Sequence, residues 1–401
     1  MKEAYIVDAI RTPIGSFRGA LAPVRADDLA AIPIKALLAR YPNLPKEVID
    51  DVILGCHNQA GEDNRNVARM ALLLAGLPYS VPGETINRLC SSGMSAIIHA
   101  NRAIKANDGD VFISGGMEHM SRGPYVISKA TSAFGNDSKM EDSSFGWRFV
   151  NKKLHEMYGT DAMGITAENL AELFKISRED QDLFAYNSQM KAAAAQKNGT
   201  LAEEICSVEI PQRKGNPVIV DQDEFIRPDT SLEKLATLRT VFKKDGTVTA
   251  GNASGLNDGA AAMLIVSEEA LKTYNLTPKA RIVASAVVGV EPRIMGIGPV
   301  YATKKVLEKT GLTLKDMDTL EFNEAFSAQS LACTRQLGME DNDPRINPNG
   351  GAIAIGHPLG MSGTRIVQAA VNQLGRIGGK YGLATMCVGV GMGYAIIVER
   401  V

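Results

Sequence analysis

Two cysteines and one histidine stand beside runs of glycine in the sequence, an arrangement that suits nucleophilic chemistry. Cys90 lies in NRLCSSGMSAI, just before a stretch whose pattern predicts a helix. The dipole and the free N–H groups of a helix N-terminus stabilise a thiolate and lower the pKa of the thiol, so this segment predicts a nucleophile. The alternative is a small buried apolar side chain, which is the role of most free cysteines.

His357 lies in the glycine-rich segment NPNGGAIAIGHPLGMSG and is one of five histidines in the chain. Glycines let a backbone approach a ligand closely, at an entropic cost that needs a reason. Imidazole has a pKa near neutrality and can therefore accept the proton of a thiol, so His357 is a candidate base. A core histidine bonded to a carbonyl beside a turn is the other interpretation.

Cys387 lies in MCVGVGMG, where an apolar strand runs into glycines. The spacing GxGxG suggests a dinucleotide site, but that fingerprint needs a helix, a second strand and an acid about 20 residues further on. Here the glycines lead into YAIIVERV instead. A dinucleotide-binding interpretation is therefore disfavoured, and a second reactive thiol remains.

Two further segments carry polar groups beside predicted turns. Asn323 and Glu324 in EFNEAFSAQ stand at a strand-to-helix junction, where the amide could donate to an oxyanion, hold a water or cap a helix. Ser254 in GNASG could bind a ligand or make a turn. Metal binding is not expected, because the adjacent Cys56 and His57 have no second pair at ligand spacing.

These candidates must be positioned by alternating strands and helices. Apolar runs predict strands at 3–9, 50–55 and 111–116, and apolar residues at helical spacing predict helices over 27–40 and 92–106. Such alternation is typical of an α/β fold with buried, mostly parallel sheets.

The chain also contains an internal repeat. Residues 35–53 resemble 305–321, 5–9 resemble 281–286, and 111–120 resemble 383–393, in the same order. We therefore predict two similar halves, interrupted by a polar insertion whose loops suit a binding surface. The predicted units are residues 1–120 together with 248–268, the inserted loop domain 121–247, and the second half 269–401.

Composition excludes several classes of function. The chain of 401 residues is 45% hydrophobic and 22% charged, which is enough apolar sequence for a sizeable core. Its 43 basic and 45 acidic residues give a net charge of −2, which argues against nucleic-acid or membrane-surface partners. The five cysteines are widely spaced and odd in number, and neither a signal peptide nor a membrane span is evident. We expect a soluble, cytoplasmic protein.

Seven segments together resemble the thiolase family along essentially the whole chain. They are VDAIRTPIGSFRGAL, NRLCSSGMSAI, GGMEHMS, TAGNASGLNDGAA, NEAF, NPNGGAIAIGHPLGMSG and CVGVGMG, in thiolase order. The resemblance implies an α/β fold of duplicated βαβαβαββ halves that form a layered α-β-α-β-α core, with an inserted loop domain. It also implies an acyltransferase that cleaves a 3-oxoacyl-CoA with CoA through an acyl-cysteine, or runs the reverse Claisen condensation.

The resemblance assigns a role to each matching position. Cys90 is the nucleophile, His357 its base and Cys387 the acid/base cysteine. Asn323 holds a water in one oxyanion site, with His357 as the other donor, and the N–H groups of Cys90 and Gly389 form a second oxyanion site. The positions that match coenzyme A contacts and the acyl pocket are Arg227, Ser254 and Met163.

Segments 51–78 and 132–151 look most like those of 3-oxoadipyl-CoA thiolases. A general 3-oxoacyl-CoA thiolase and an acetoacetyl-CoA thiolase (acetyl-CoA acetyltransferase) are the alternatives, although many of the latter carry His-Met where this chain has Ala162-Met163. A dicarboxylyl substrate needs a cation for its distal carboxylate. The candidates are Arg65, Arg69 and Arg148, each of which could instead be a solvated or interface arginine.

Two other interpretations are weaker. Ketoacyl synthases resemble this fold but place a histidine where NEAF supplies Asn323, and a non-catalytic CoA-binding scaffold would be expected to have lost Cys90 or Cys387. The family resemblance implies a homodimer or homotetramer, acyl-CoA and CoA as substrates, and no metal or other cofactor.

Overall fold

The computed structural model describes residues 2–401, and within them it contains fourteen strands and twelve α-helices. The strands are β1 (Ala4–Arg11), β2 (Gly15–Ser16), β3 (Asp51–Gly55), β4 (Gly83–Ile86), β5 (Val111–His119), β6 (Tyr125–Ile127), β7 (Met140–Asp142), β8 (Val208–Ile210), β9 (Val218–Val220), β10 (Asn257–Ser267), β11 (Ala280–Gly289), β12 (Met317–Phe322), β13 (Tyr381–Val388) and β14 (Met392–Arg400). The helices are α1 (Ala26–Arg40), α2 (Val67–Leu74), α3 (Ser92–Ala106), α4 (Lys152–Tyr158), α5 (Met163–Leu173), α6 (Arg178–Lys197), α7 (Leu232–Ala236), α8 (Glu268–Thr273), α9 (Gly298–Thr310), α10 (Ser327–Gln336), α11 (Ala352–Ile355) and α12 (Leu359–Ile377). None of the helices in this described range is both long and apolar enough to cross a lipid bilayer.

The first half of the chain builds a sheet in the order β4-β3-β5-β10-β1. Strand β3 pairs in parallel with β4 and β5, and β10 pairs antiparallel with β5 and β1. Helices α1, α2 and α3 connect successive strands, so the chain order is βαβαβαββ apart from the short β2. The strands predicted at 3–9, 50–55 and 111–116 and the two predicted helices are confirmed.

The second half repeats this arrangement. Its sheet has the order β12-β13-β14-β11, with β12 parallel to β13 and β14 antiparallel to both of its neighbours. An isolated parallel bridge between Leu320 and Ile346 stands where the first half has β4. The predicted duplication is therefore confirmed, with one strand of the second copy reduced to a single bridge.

The expectation of mostly parallel sheets is wrong. The last strand of each half pairs antiparallel with the strand before it, β10 with β5 and β14 with β13. The two sheets are joined where β1 pairs antiparallel with β11, Tyr5 opposite Arg281 and Ile6 opposite Ala280.

Three apolar clusters separate the layers of the core. Helices α1 and α2 cover the outer face of the first sheet, α3 and α12 fill the space between the sheets, and α9 and α10 cover the second sheet. The layered α-β-α-β-α prediction is confirmed. The two central helices approach closely at glycines, since a Cβ on Gly93 would lie 2.5 Å from Oγ1 of Thr364.

The segment between β5 and β10 carries the hairpins β6–β7 and β8–β9 and helices α4 to α7. It corresponds to the predicted insertion, whose limits at 121 and 247 stay a prediction. In its middle, Ser177 caps α6 by accepting a hydrogen bond from the backbone N–H of Asp180 at 3.0 Å.

A buried ion pair anchors this segment to the core. The fully buried Arg11 of β1 donates to both carboxylate oxygens of Asp223, at 2.7 and 2.8 Å, and lies 3.4 Å from Glu204. Asp223 also accepts the backbone N–H of Ile14 at 2.8 Å. A buried guanidinium needs such partners because desolvation of an unpaired charge is costly.

Replacing Asp223 with Asn removes the negative charge and leaves the Arg11 guanidinium buried without its main counterion. We expect the free energy of unfolding to fall by about 3–5 kcal/mol, measured by equilibrium urea unfolding. Asp221→Asn is the matched control, because Asp221 is exposed and should change stability by less than about 0.5 kcal/mol. Equal losses for the two variants would contradict the anchoring role of the pair.

Candidate active site

Cys90 lies in the short connection between β4 and α3, close to the N-terminus of the helix. Ser92 shapes this connection, since its hydroxyl accepts the N–H of Arg88 at 2.8 Å and donates to the carbonyl of Leu89 at 2.7 Å. Leu89 has a φ of +48°, a left-handed conformation that is uncommon for a side-chain-bearing residue. Such strain is found where a turn must aim a functional group, here the thiol that follows it.

The thiol of Cys90 is not activated in the way its position predicted. Burial raises the pKa of Cys90 to about 11, although the backbone N–H groups of Gly389 and of Cys90 itself act in the opposite direction. The expected lowering of the thiol pKa by the helix N-terminus is therefore wrong for the free protein, because desolvation of the thiolate outweighs the dipole. The same two N–H groups are the ones expected to form the second oxyanion site.

Gly389 reaches Cys90 because β13 and β14 are joined by a tight turn, with Val388 paired to Met392. Val390 and Gly391 of this turn have φ values of +61° and +83°. The turn packs against the strained residue before the nucleophile, since a Cβ on Gly389 would lie 3.2 Å from Cδ1 of Leu89. Two turns with left-handed residues thus meet at the thiol.

His357 is buried, 4% exposed, and is held by hydrogen bonds at both ring nitrogens. Nδ1 lies 2.6 Å from Oγ of Ser362, and that hydroxyl donates to the carbonyl of Pro358 at 2.8 Å. Because the serine proton is already used, Nδ1 carries the ring proton and donates it to Ser362, a tautomer assigned from this network. Nε2 is then the acceptor, and it lies 3.2 Å from Nδ2 of Asn323.

The imidazole is a neutral acceptor at physiological pH. Burial lowers the pKa of His357 to about 3, and the positive charge of Arg365 acts in the same direction. Cys90 and His357 are therefore both uncharged before substrate binds. A neutral imidazole whose Nε2 is an acceptor can take a proton from a thiol during attack.

Asn323 follows β12 directly, and its backbone N–H donates to the carbonyl of Thr385 in β13 at 3.0 Å. Its side-chain Nδ2 faces His357, while its Oδ1 is buried without a hydrogen-bond partner among residues 2–401. A buried acceptor of this kind suits a bound water. This geometry is consistent with the predicted oxyanion role and does not favour a helix cap.

Cys387 lies at the end of β13, 1% exposed. Burial raises the pKa of Cys387 well above its usual range, and the charge of Cys90 acts in the same direction, so the two sulfurs lie close enough to interact. Its apolar surroundings include Met295 and Phe326, and Met163 packs against the same cluster. Met163 therefore packs against the apolar cluster that contains the second cysteine, and its role in an acyl pocket stays a prediction.

The two predicted coenzyme A contacts differ in position. Ser254 is half-buried, and its N–H donates to the carbonyl of Ala325 at 3.0 Å, beside the Asn323 junction. Arg227 is exposed on the inserted segment, with its guanidinium carbon 5.7 Å from the centre of the Phe225 ring. Ser254 thus lies beside the Asn323 junction, Arg227 lies at the surface, and their contacts with CoA stay a prediction.

Sequence reasoning missed the buried carboxylate that organises the site. Glu118 accepts the backbone N–H groups of His57, Asn58 and Gly360 at 3.0, 3.0 and 2.9 Å, and burial raises its pKa to about 7. The signal was present, since an acid in the buried strand VFISGGMEH needs a structural reason.

Cys56 and Asp63 lie beside Glu118, at distances that a metal ion could bridge. However, both carboxylates already accept backbone N–H groups, that of Asp63 from Gly61 at 2.9 Å. These hydrogen bonds give the cluster a structural role in fixing the loops around the site.

Two family models match nearly the whole chain. The model of the thiolase N-terminal domain matches residues 4–269, and that of the thiolase C-terminal domain matches residues 276–400. The chain belongs to the thiolase family and is an acyltransferase. Enzymes of this family use CoA as a substrate and need no resident cofactor.

Individual relatives match over the full length. A beta-ketoadipyl-CoA thiolase of Acinetobacter baylyi is 61% identical, and a 3-oxoadipyl-CoA/3-oxo-5,6-dehydrosuberyl-CoA thiolase of Escherichia coli K12 is 60% identical, each over 100% of both chains. The crystal structure of an acetyl-CoA acetyltransferase of Bacillus anthracis superposes with a TM-score of 0.93 at 41% identity, covering 100% of this chain and 99% of that one.

The neutral Cys90–His357 pair gives a test of the base. Because the thiol pKa is raised, alkylation of Cys90 by iodoacetamide should accelerate continuously from pH 7 to 10, with no plateau near neutrality. Ser362→Ala removes the acceptor of the Nδ1 proton, so the alkylation rate at pH 8 should fall roughly 5- to 100-fold. His357→Ala should lower it further and move the pH profile to the alkaline side.

Ser330→Ala is the matched control for this series. Ser330 is equally buried in α10, and its hydroxyl has no hydrogen-bond partner in the described range 2–401. Equal alkylation rates for Ser362→Ala and Ser330→Ala would show that the serine does not orient the base.

Proposed function

We propose that this enzyme cleaves 3-oxoadipyl-CoA with CoA into acetyl-CoA and a four-carbon dicarboxylyl-CoA, and catalyses the reverse Claisen condensation. The observation that carries the proposal is the identity of 60–61% over full length to enzymes named for this substrate. The identity to the acetyl-CoA acetyltransferase structure is lower, at 41%. Ala162, where many acetoacetyl-CoA thiolases carry histidine, further favours a substrate other than acetoacetyl-CoA.

In the proposed first step, Sγ of Cys90 attacks C3 of the substrate while Nε2 of His357 accepts the thiol proton. The negative charge on the C3 oxygen is stabilised by the imidazolium and by a water held at Asn323. Before substrate binds, the Cys90 thiol and the His357 imidazole are both uncharged, because an ion pair in this buried site would be costly. Charges therefore form only when the substrate carbonyl is attacked.

The C2–C3 bond then breaks, and its electron pair leaves as the enolate of acetyl-CoA. The N–H groups of Cys90 and Gly389 are suited to stabilise the thioester oxygen of that enolate. Cys387 donates its proton to C2, which completes acetyl-CoA and leaves a thiolate. A thiol of raised pKa suits this step, since it remains protonated until a strongly basic carbanion is formed.

In the second half-reaction, the Cys387 thiolate takes the proton of an incoming CoA thiol. The CoA sulfur attacks the acyl group on Cys90, the carbon–sulfur bond to Cys90 breaks, and His357 returns its proton to that sulfur. All protons and electron pairs are then restored, so no oxidant, metal or other co-reactant is required.

Substitution of each cysteine should separate their roles. Cys90→Ser should abolish the covalent acyl adduct seen by mass spectrometry after incubation with acetyl-CoA. Cys387→Ala should still be acylated, because His357 remains, but it should not exchange the C2 protons of acetyl-CoA with deuterium. An adduct that persists on Cys90→Ser, or normal exchange in Cys387→Ala, would contradict the assignment.

The substrate is tested by CoA-dependent thiolysis on one purified sample. We expect kcat/KM for 3-oxoadipyl-CoA to exceed that for acetoacetyl-CoA and for a long-chain 3-oxoacyl-CoA by at least about tenfold. A difference of that size corresponds to about 1.4 kcal/mol of additional transition-state stabilisation from the distal carboxylate. A preference for acetoacetyl-CoA or for the long-chain 3-oxoacyl-CoA would contradict the proposed substrate but not the thiolase chemistry.

A further inference from the structure

Arg148 lies on the inserted segment, and its guanidinium has no acidic partner. We propose that Arg148 is the residue that binds the distal carboxylate of the substrate, with His57 lining the same subsite. The proposal rests on the proposed function, because only a dicarboxylyl substrate presents that carboxylate. Of the three candidate arginines, Arg148 would then be the residue that determines specificity for the acyl group.

The contacts of Arg148 leave part of its guanidinium available. The side chain is half-buried, donates from Nη2 to Oδ1 of Asn58 at 3.0 Å and from Nη1 to the carbonyl of Ser143 at 3.3 Å. No carboxylate lies within 4.0 Å of it in the described range 2–401. A guanidinium has five N–H donors, so Arg148 can still form a charge-assisted hydrogen bond with a carboxylate.

His57 supplies a second unsatisfied group at the same place. Its Nδ1 is buried and has no hydrogen-bond partner among residues 2–401. Burial and the charge of Arg148 lower the pKa of His57 to about 4, so the ring is neutral and close to the guanidinium. A neutral imidazole with an unpartnered nitrogen can donate to a carboxylate oxygen without adding a repelling charge.

Hydrogen bonds connect this pair with the nucleophile. The carbonyl of His57 accepts from Nδ2 of Asn87 at 2.9 Å, and Oδ1 of the same asparagine accepts the N–H of Leu89, also at 2.9 Å. Leu89 immediately precedes Cys90. The carboxylate of Glu118 accepts the backbone N–H of His57.

The neighbouring residue connects Arg148 with the acyl-pocket segment. Nε1 of Trp147 donates to the carbonyl of Asp161 at 3.2 Å, and Met163, two residues further on, packs against the apolar cluster that contains Cys387. Arg148 is therefore connected with the Cys90 loop through Asn58 and its neighbour His57, and its own neighbour Trp147 is bonded to the segment that leads to Met163. The distal carbon of 3-oxoadipyl-CoA lies only three carbon–carbon bonds from the carbon that Cys90 attacks, so its carboxylate must be bound close to both cysteines.

The other two candidate arginines are less suitable. The guanidinium of Arg69 is bound to the backbone carbonyls of Val81 and Tyr79, where it closes the connection after α2. Arg65 is exposed. Neither has a connection to the Cys90 loop or to the Met163 segment comparable with that of Arg148.

The test compares two substrates that differ only at the distal end, 3-oxoadipyl-CoA and 3-oxohexanoyl-CoA. Arg148→Met should lower kcat/KM for 3-oxoadipyl-CoA roughly 10- to 150-fold, which is the loss expected for one charged hydrogen bond. The same variant should change kcat/KM for 3-oxohexanoyl-CoA by less than about threefold. Arg148→Lys, which keeps a cation beside Asn58, should lose less. Arg65→Met is the matched control and should leave the ratio of the two substrates unchanged.

Each result separates the alternatives. Equal losses on both substrates in the Arg148 variants, or no loss, would overturn the proposal and leave Arg148 as a structural clamp on Asn58. Failure of the proposed function is recognised earlier, in the unaltered enzyme, as the absence of a preference for 3-oxoadipyl-CoA over 3-oxohexanoyl-CoA. If Arg148→Met does not fold, judged by its circular dichroism spectrum, the ratio measured on Arg148→Lys decides, and an unchanged ratio counts against Arg148.

Discussion

The buried carboxylate of Glu118 is the constraint on which the rest of the site depends. It stands at the end of β5 in the first half and accepts backbone N–H groups both from the loop at His57 and from Gly360 at the start of α12 in the second half. Because an unsatisfied buried acceptor is costly, these bonds fix the relative position of the two halves where the thiol and the imidazole must meet. Glu118 is therefore a positioning residue, since it holds two backbone segments and does not touch the reacting atoms in the proposed mechanism.

The second constraint is the free-energy cost of desolvating a charged group in the buried active site. A thiolate–imidazolium pair between Cys90 and His357 would have to be desolvated in the free protein, so the structure holds both groups neutral and directs the imidazole by the serine at position 362. Charge then develops only when a substrate carbonyl receives it and N–H donors at Gly389 stabilise it. The site thus stabilises an anion that forms during the reaction, and it does not stabilise a thiolate of Cys90 in the free enzyme.

Much of this could be predicted from the sequence, because strong local signals identify the groups that react. The glycines around Cys90, His357 and Cys387 and the seven family segments predicted the duplicated fold, which is confirmed, and the candidate residues, whose roles stay a prediction. The direction of the Cys90 pKa shift could not be predicted, since it depends on burial by residues distant in the chain. The choice of Arg148 among three arginines needed hydrogen-bond partners that lie 90 residues away in sequence.

The duplication also places the proposed nucleophile and base in equivalent connections of the two halves. Cys90 lies between the third strand and third helix of the first half, and His357 lies between the reduced third strand at Ile346 and the corresponding helix α12 of the second half. The helices that follow these two connections, α3 and α12, pack together in the central layer. The connections that follow differ: the second copy makes the tight turn at 389–391, which presents backbone N–H groups, whereas the first copy carries the long insertion. The second half thus contributes the Gly389 N–H that is proposed to stabilise the enolate together with that of Cys90, and the first half carries the segments proposed to select the acyl group.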